Sequence, residues 1–212
     1  MLFSTTFAAL MSIVRKVKSV EKIFAALDQE MNTLRDRSGL HCVSGCGKCC
    51  FKADIEATPL EFLPYAFHLF LTKHIDEVYQ NLLANESSMC TLFNPVKDSL
   101  DKGGCSQYAY RGLICRLFGF SATRDKNGKA QLITCKLMKA GQADTIAKIE
   151  EEMEAGIPSP MMSDYYFRLR SIDTELGTRM MPINQAMRQA IEEVMSYYAY
   201  RKPPAGYGKL SA

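Results

Sequence analysis

Apolar side chains recur every three or four positions over long stretches of this chain, which is the period of an amphipathic helix. The clearest run lies between Ser12 and Arg37, where charged residues separate the apolar ones, and Ser38-Gly39 predicts the end of this helix. Thr58-Pro59-Leu60-Glu61 has the order of an N-cap, a first-turn proline and a capping-box glutamate. A second helix is therefore predicted to begin there, with an early kink at Pro64.

Other stretches of the chain differ in their pattern of apolar and polar residues. Further helical patterns cover Ile75 to Leu83, Asp144 to Ala155, Met162 to Leu176 and Asn184 to Tyr200. Between Asn85 and Cys135, glycines and a proline interrupt short apolar runs, which favours loops and small strands. Asn127-Gly128 is a strong turn signal between two such runs and predicts one β-hairpin. The predicted fold class is thus mainly α, with an irregular cysteine-rich loop region and one β-hairpin.

Length and charge set limits on the class of protein. The chain has 212 residues, the length of one ordinary domain, so we expect residues 1–212 to form a single domain. Its 26 Lys and Arg are interleaved with 23 Asp and Glu, for a net charge of +3. No basic tract therefore indicates a nucleic acid or an acidic membrane as partner.

The N-terminal stretch is apolar from Met1 to Val14 but has no positive charge before Arg15, which is unlike a signal peptide. It is also shorter than the roughly 20 residues that span a bilayer. Two interpretations stay open: the start of a helix, or a true initiator at Met11. We expect a cytoplasmic protein, with free thiols in a reducing compartment.

The candidate chemistry lies in the cysteines. They are Cys42, Cys46, Cys49, Cys50, Cys90, Cys105, Cys115 and Cys135. Eight in 212 residues is well below the roughly 8 to 10% typical of a secreted disulfide scaffold. We expect residues 42–136 to form a metal-binding core, wrapped by helices at about 12–37 and 144–200.

The first four cysteines are closely spaced, and short gaps of two or three residues bring two sulfurs to one metal. Gly45 and Gly47 supply the backbone freedom of a tight loop. Cys49 and Cys50 are adjacent, and neighbouring side chains usually diverge. Either the two serve different sites, as two groups of four, or one is a ligand and the other a small buried apolar residue.

Four cations flank cysteines in the sequence. They are Lys48, Arg111, Arg116 and Lys136. They can offset the charge of about −2 on a zinc ion with four thiolates. Because Lys and Arg are mostly exposed in proteins, we expect them to be solvated instead.

The cysteine pattern resembles the bacterial CxxCxxCC family, also called YkgJ-like and described as a zinc- or iron-chelating domain. The resemblance covers residues 42 to about 136. It lies in the first four cysteines, in Cys90-Thr91-Leu92-Phe93, in Cys105 with Tyr108 and Tyr110, in the segment from Arg111 to Phe118, and in Cys135. The chain departs from the family pattern at two places. Three residues instead of two separate Cys42 from Cys46, and Gly112 stands where the family usually has proline. We expect Gly112 to loosen the approach to Cys115.

Sulfur ligands suit zinc and iron–sulfur clusters and disfavour magnesium or calcium. The triplet Cys42, Cys46 and Cys49 with one distant cysteine is typical of iron–sulfur sites, which favours a 4Fe-4S cluster with a redox or undefined enzymatic role. The alternative is a zinc-stabilised, non-catalytic module that binds a protein partner. No nucleophile elbow, P-loop, dinucleotide fingerprint or HExxH motif is present, so the sequence does not decide whether the protein is an enzyme.

Overall fold

The chain folds mainly into helices, as expected, with short antiparallel strand pairs between them. The computed structural model describes residues 11–43, 45–96 and 99–204. The helices are α1 (Ile13–Ser38), α2 (Leu63–Thr72), α3 (Ile75–Ala84), α4 (Leu113–Leu117), α5 (Lys136–Gly141), α6 (Ala143–Glu154), α7 (Met162–Arg170), α8 (Thr174–Thr178) and α9 (Ile183–Tyr198). The strands are β1 (Glu56–Ala57), β2 (Phe93–Val96), β3 (Ser99–Cys105), β4 (Ala122–Arg124), β5 (Ala130–Leu132) and β6 (Met181–Pro182). Met1, the first of the two proposed starts, lies outside the described residues.

The long first helix is confirmed almost to the residue. The Ser12 side chain caps it by accepting the Arg15 N–H at 3.4 Å. Gly39 ends it in the left-handed conformation with φ 72°, and its N–H donates to the Arg35 carbonyl at 2.8 Å. The buried stripe is Ile13, Lys16, Val17, Val20, Phe24, Leu27, Met31 and Leu34.

The predicted start at Thr58 is also confirmed, because the Glu61 carboxylate accepts the Thr58 N–H at 2.8 Å. The first turn, Pro59–Phe62, is a 3₁₀-helix, and the α-helical geometry of α2 begins at Leu63. Pro64 therefore lies in the first turn of α2, where a missing N–H costs little. The expected kink is a change of helix type that precedes the proline.

The stretch predicted as one helix from Met162 to Leu176 is two helices. Between α7 and α8, Asp173 is extended with φ −152°, and its side chain accepts the Leu176 N–H at 3.0 Å. Asp173 also contacts the Lys16 ammonium at 2.5 Å. A new N-cap and an ion pair to α1 thus outweigh continuation of one helix.

Strand pairing is more extensive than the single predicted hairpin. That hairpin is confirmed as β4 and β5, which pair Ala122 with Leu132 around a turn at Gly128. In addition, β2 pairs with β3, and β1 pairs with the distant β6. The sequence concealed these pairs because two-residue strands and glycine-rich strands have little alternation.

The core lies where α2 and the Pro59–Phe62 turn pack on α9, with α1 against α2 and α7. Val20, Leu27, Leu63 and Ile191 are 0% exposed. Among the described residues, no helix has both the length and the apolar character that crossing a membrane requires. The cysteines lie on the segments of the chain between α1 and α6.

Candidate metal centre

Four separate segments carry the eight cysteines. The first four lie in the loop between α1 and β1, Cys90 lies in the turn before β2, and Cys105 ends β3. Cys115 lies in α4, and Cys135 is the N-cap of α5. The short helix α4 falls in the region from Asn85 to Cys135 that was predicted as loops and strands. All eight are free thiols.

The first cysteine loop is docked onto the β2–β3 hairpin. The Gly103 N–H donates to the Gly45 carbonyl at 3.1 Å. Gly47 is buried, and a Cβ there would lie 2.4 Å from Cε2 of Phe93. The Phe93 ring in turn meets Phe51 edge to face, with centroids 6.4 Å apart. Close contact with the hairpin therefore requires glycine at position 47.

The hairpin holds Cys90 and Cys105 close together. Cys105 pairs directly with Phe93, and the Phe93 N–H donates to the Cys90 carbonyl at 3.0 Å. The Ser106 N–H closes the same end by donating to the Leu92 carbonyl at 2.8 Å. Two cysteines that are distant in sequence thus lie at one end of a two-stranded sheet.

The buried Glu61 carboxylate positions the helix that carries Cys115. Glu61 is 1% exposed, and its Oε2 accepts the Ile114 N–H at 3.0 Å at the start of α4. Burial raises the pKa of this carboxyl, while amide donors from Ile114 and Thr58 partly offset the effect. The sequence pattern predicted only a capping role for Glu61. No sequence signal connected it with the cysteines.

Gly112 does not loosen the approach to Cys115. It is buried, and a Cβ there would lie 2.9 Å from Cζ of Phe62 and 3.0 Å from Oε2 of Glu61. Its φ of −63° is open to any residue. Close packing against two buried side chains therefore accounts for the glycine.

Cys135 is tied to the first loop through α5. Its sulfur accepts the Met138 N–H at 3.4 Å. At the other end of α5, Gln142 bonds both main-chain groups of His41, accepting its N–H at 3.0 Å and donating to its carbonyl at 2.7 Å. Since six helical residues span about 9 Å, Cys135 is held near Cys42.

The thiols fall into two sets by their electrostatic neighbours. Partial burial raises the pKa of Cys42, followed by the nearby sulfurs of Cys49, Cys46 and Cys135. We call Cys42, Cys46, Cys49 and Cys135 the loop group.

The remaining four form a second set. Burial raises the pKa of Cys115 to about 12, with further contributions from Cys90, Glu61 and Cys105, opposed by Arg111. Burial raises the pKa of Cys90 to about 11, with Cys105 beside it. Besides Cys49, the cysteines whose charges raise the pKa of Cys50 are Cys115 and Cys90. We call Cys50, Cys90, Cys105 and Cys115 the hairpin group.

The two groups meet at the adjacent pair. Cys49 Sγ and Cys50 Sγ are 3.9 Å apart. A hydrogen bond from Cys50 lowers the pKa of Cys49, with help from the amides of Cys49 and Cys50 and from Arg111. The same contact raises the pKa of Cys50. The contact therefore favours a state in which one thiol of the pair is ionised and the other keeps its proton.

Main-chain amides point at several sulfurs, as expected around thiolates. The N–H groups of Leu92 and Phe93 lower the pKa of Cys90, although burial outweighs them. The Gln107 N–H has the same effect on Cys105, again against a larger effect of burial. Such donors stabilise the thiolate and not the neutral thiol, so they favour metal-bound sulfur.

The expectation that the flanking cations are solvated holds for Lys48 and Lys136, which are exposed, and is wrong for Arg116. Arg116 is 6% exposed, because its guanidinium bonds Asp28 and the carbonyls of Ala109 and Arg111. Arg111 is the cation that acts on the sulfurs. It lowers the pKa of Cys49, and in Cys105 and Cys115 it opposes the larger raising effect of burial.

The donor set fits zinc or an iron–sulfur cluster, since eight free sulfurs with amide donors and a nearby guanidinium are ligands for thiophilic metals. Over the described ranges, no three Cys, His, Asp or Glu side chains already converge on a point that can hold an ion. The cysteines are thus grouped by the backbone, and metal binding requires loss of thiol protons and rotation of side chains.

A cavity of about 210 Å³ opens beside the hairpin group. Cys90 forms part of its wall, together with Phe51, Met89 and Phe93. The cysteine region is therefore open to small molecules from solvent.

The comparisons with known proteins agree with this donor set. The family model CxxCxxCC, described as "Putative zinc- or iron-chelating domain", matches residues 41–139. No curated protein and no solved structure matches the chain significantly. The matched range begins one residue before Cys42, ends four residues after Cys135 and contains both cysteine groups. Residues 41–139, just under half of the chain, are therefore similar to the CxxCxxCC domain.

Proposed function

We propose that this protein is a metal-binding protein whose eight cysteines hold an iron–sulfur centre of the 4Fe-4S type. The observation that carries the proposal is that separate segments of the chain carry eight free thiols, and that sulfurs from different segments lie close enough to act on one another, as Cys135 does on Cys42 and Cys90 does on Cys115. Free cysteines that only fill a core have no reason to gather in this way. The family match supports metal chelation itself.

Iron–sulfur ligation is supported by the loop group. Cys42, Cys46 and Cys49 are a closely spaced triplet, and the bonds between His41 and Gln142 bring α5 and Cys135 beside them. Three neighbouring cysteines with one distant cysteine are the common ligand set of such clusters. When bound, a cluster of this type supplies one-electron transfer.

The test is purification of the full chain without oxygen, followed by iron, sulfide and zinc analysis and by visible and EPR spectra. We expect iron and acid-labile sulfide in equal amounts and a brown protein. The matched control is the chain with its thiols alkylated in denaturant before reconstitution, which has the same composition but no thiolates. A folded protein with eight titratable thiols and no metal would refute the proposal.

A zinc-stabilised interaction module is the second candidate, favoured by exposed apolar side chains near the cysteines. Val43, Phe51, Tyr108 and Leu137 are 54%, 39%, 60% and 41% exposed. Bound zinc contributes roughly 10 to 16 kcal/mol of apparent binding energy that becomes folding energy. This candidate predicts a colourless zinc protein that a strong chelator unfolds. An iron–sulfur protein is distinguished at once by its colour.

Thiolate ligation also supports a reducing location such as the cytoplasm, because ligands must escape oxidation to disulfides. We propose that residues 42–136 are the metal-binding part of one domain that spans residues 1–212. Expression of the protein with a fluorescent tag, read against compartment markers, tests the location. Limited proteolysis that releases a stable fragment bounded near residue 144 would refute the single domain.

A further inference from the structure

The number of metal centres follows from how the backbone distributes the sulfurs. We propose that the cysteines form two separate four-thiolate centres, the loop group and the hairpin group, each of which takes its own thiophilic metal ion or iron–sulfur cluster. This inference rests on the proposed function, since it requires that the cysteines bind metal.

Separate backbone contacts assemble the two groups. In the loop group, the bonds between His41 and Gln142 tie the first loop to the helix that Cys135 caps. In the hairpin group, the pairing of Phe93 with Cys105 holds Cys90 and Cys105 at one end of the hairpin.

The remaining cysteines of the two groups lie on α4 and on the first loop. Cys115 joins the hairpin group because Glu61 fixes the start of α4, and on that helix Cys115 lies close enough to Cys90 and Cys105 for their charges to act on it. Cys46 and Cys49 belong to the loop group because both sulfurs lie close enough to Cys42 to act on it.

The adjacent pair decides between one centre and two. A separation of 3.9 Å between Cys49 Sγ and Cys50 Sγ would also suit two ligands of one zinc ion, whose sulfurs lie roughly 3.8 Å apart for bonds of about 2.3 Å. The other neighbours differ, however, because Cys49 lies near Cys42 whereas Cys50 lies near Cys90 and Cys115. If both bound the ion of the loop group, the hairpin group would be left with three cysteines and no fourth.

The turn geometry agrees with a division at this pair. The N–H groups of Cys50 and Phe51 both donate to the Gly47 carbonyl, at 2.9 and 3.0 Å, which is one helical turn. Successive side chains in such a turn point about 100° apart. Two-cluster ferredoxins use the same arrangement, in which three close cysteines bind one cluster and the fourth binds the other.

Arg111 lies at the junction of the groups. It acts on Cys49 of the loop group and on Cys105 and Cys115 of the hairpin group. Each centre of one divalent ion and four thiolates carries a charge of about −2. A cation shared between two such centres reduces their mutual repulsion.

The experiment is a titration of the reduced, metal-free full chain with Co²⁺ under argon, because cobalt gives charge-transfer bands when thiolates bind it. We expect two equivalents for the wild type. Cys135→Ser and Cys90→Ser should each bind one equivalent. The double variant Cys49→Ser/Cys135→Ser, with both changes in the loop group, should still bind one.

The decisive comparison is between two double variants that differ only in whether position 50 or position 49 is changed. Cys50→Ser/Cys135→Ser disables one ligand in each group and should bind no Co²⁺ tightly, whereas its matched partner Cys49→Ser/Cys135→Ser keeps one centre. Equal binding by the two double variants would overturn the division. One equivalent in the wild type, lost in every single variant, would also overturn it but would leave the proposed function intact.

A measurement on the wild type does not depend on how the variants fold. At one equivalent of Co²⁺, alkylation followed by mass spectrometry should show protected cysteines that divide into the two groups of four. Protection of a set drawn equally from both groups would contradict the proposal. If the chain binds neither Co²⁺ nor Zn²⁺, the proposed function fails together with the inference.

Discussion

Replacement of Gly112 by alanine should destabilise the protein, although the backbone there suits alanine. Its φ of −63° and ψ of 170° are ordinary for any residue, so lower entropy of the unfolded chain would by itself stabilise the variant by about 0.4 to 1 kcal/mol. The added Cβ, however, would lie 2.9 Å from Phe62 Cζ and 3.0 Å from Glu61 Oε2. Both of those side chains are 1% exposed, so moving away from the added methyl group would displace their own packed neighbours.

Overpacking of this kind costs about 1 to 3 kcal/mol, so we expect a net loss of roughly 1 to 2 kcal/mol in the free energy of unfolding. Urea unfolding followed by circular dichroism, at equal metal loading, measures it. Gly141→Ala is the matched control, because Gly141 lies in a helix and nothing stands within 4 Å of its added Cβ. That control should be unchanged or slightly more stable.

A double-mutant cycle tests the cause. Phe62→Leu removes the ring carbon that the new Cβ would meet, so Gly112→Ala should cost about 1 kcal/mol less in that background. A Gly112→Ala protein as stable as the wild type would refute the reasoning. The same contact predicts that proline, the usual residue of the family at this position, also destabilises this chain.

Three further outcomes are expected. Gly47→Ala should weaken Co²⁺ binding at least tenfold without removing a thiol, because the added Cβ would overlap the Phe93 ring and separate the first cysteine loop from the hairpin. Unchanged affinity for Co²⁺ would argue against docking of that loop on the hairpin. Burial would raise the pKa of Asp173, but Lys16 and amide donors outweigh burial and hold the pKa below its usual range. The ion pair with Lys16 therefore stabilises the protein above pH ~4, and this stabilisation is lost as the pH falls through the lowered pKa. Asp173→Asn, which keeps the N-cap, should cost roughly 3 kcal/mol at pH 7 and flatten stability between pH 5 and 2 in acid-unfolding curves. Arg116→Lys should lower the free energy of unfolding by about 2 kcal/mol in urea, since lysine keeps the charge but cannot bond the carboxylate and the two carbonyls together. A loss under 0.5 kcal/mol would show that these guanidinium hydrogen bonds are unimportant for stability.

Local signals explain what was predictable in the fold. The helix from Ile13 to Ser38 has an apolar stripe, a serine cap and a terminal glycine, all close in sequence, and each acts independently of the rest of the chain. The same holds for the Thr58–Glu61 start and for the Asn127-Gly128 hairpin. In contrast, the break between α7 and α8 depends on Lys16, which lies far away in sequence, so the pattern predicted one helix.

By itself, the sequence determined the mainly helical class and the candidate ligands, because periodicity, caps and the spacing of thiols are local properties. It left open whether Cys49 and Cys50 serve one site or two, and tertiary structure alone shows that their other neighbours differ. Two bonds between Gln142 and His41, and a buried carboxylate below α4, decide which sulfurs meet. Such contacts join residues that are far apart in the chain, so they leave no periodic or spaced signal by which a sequence could reveal them.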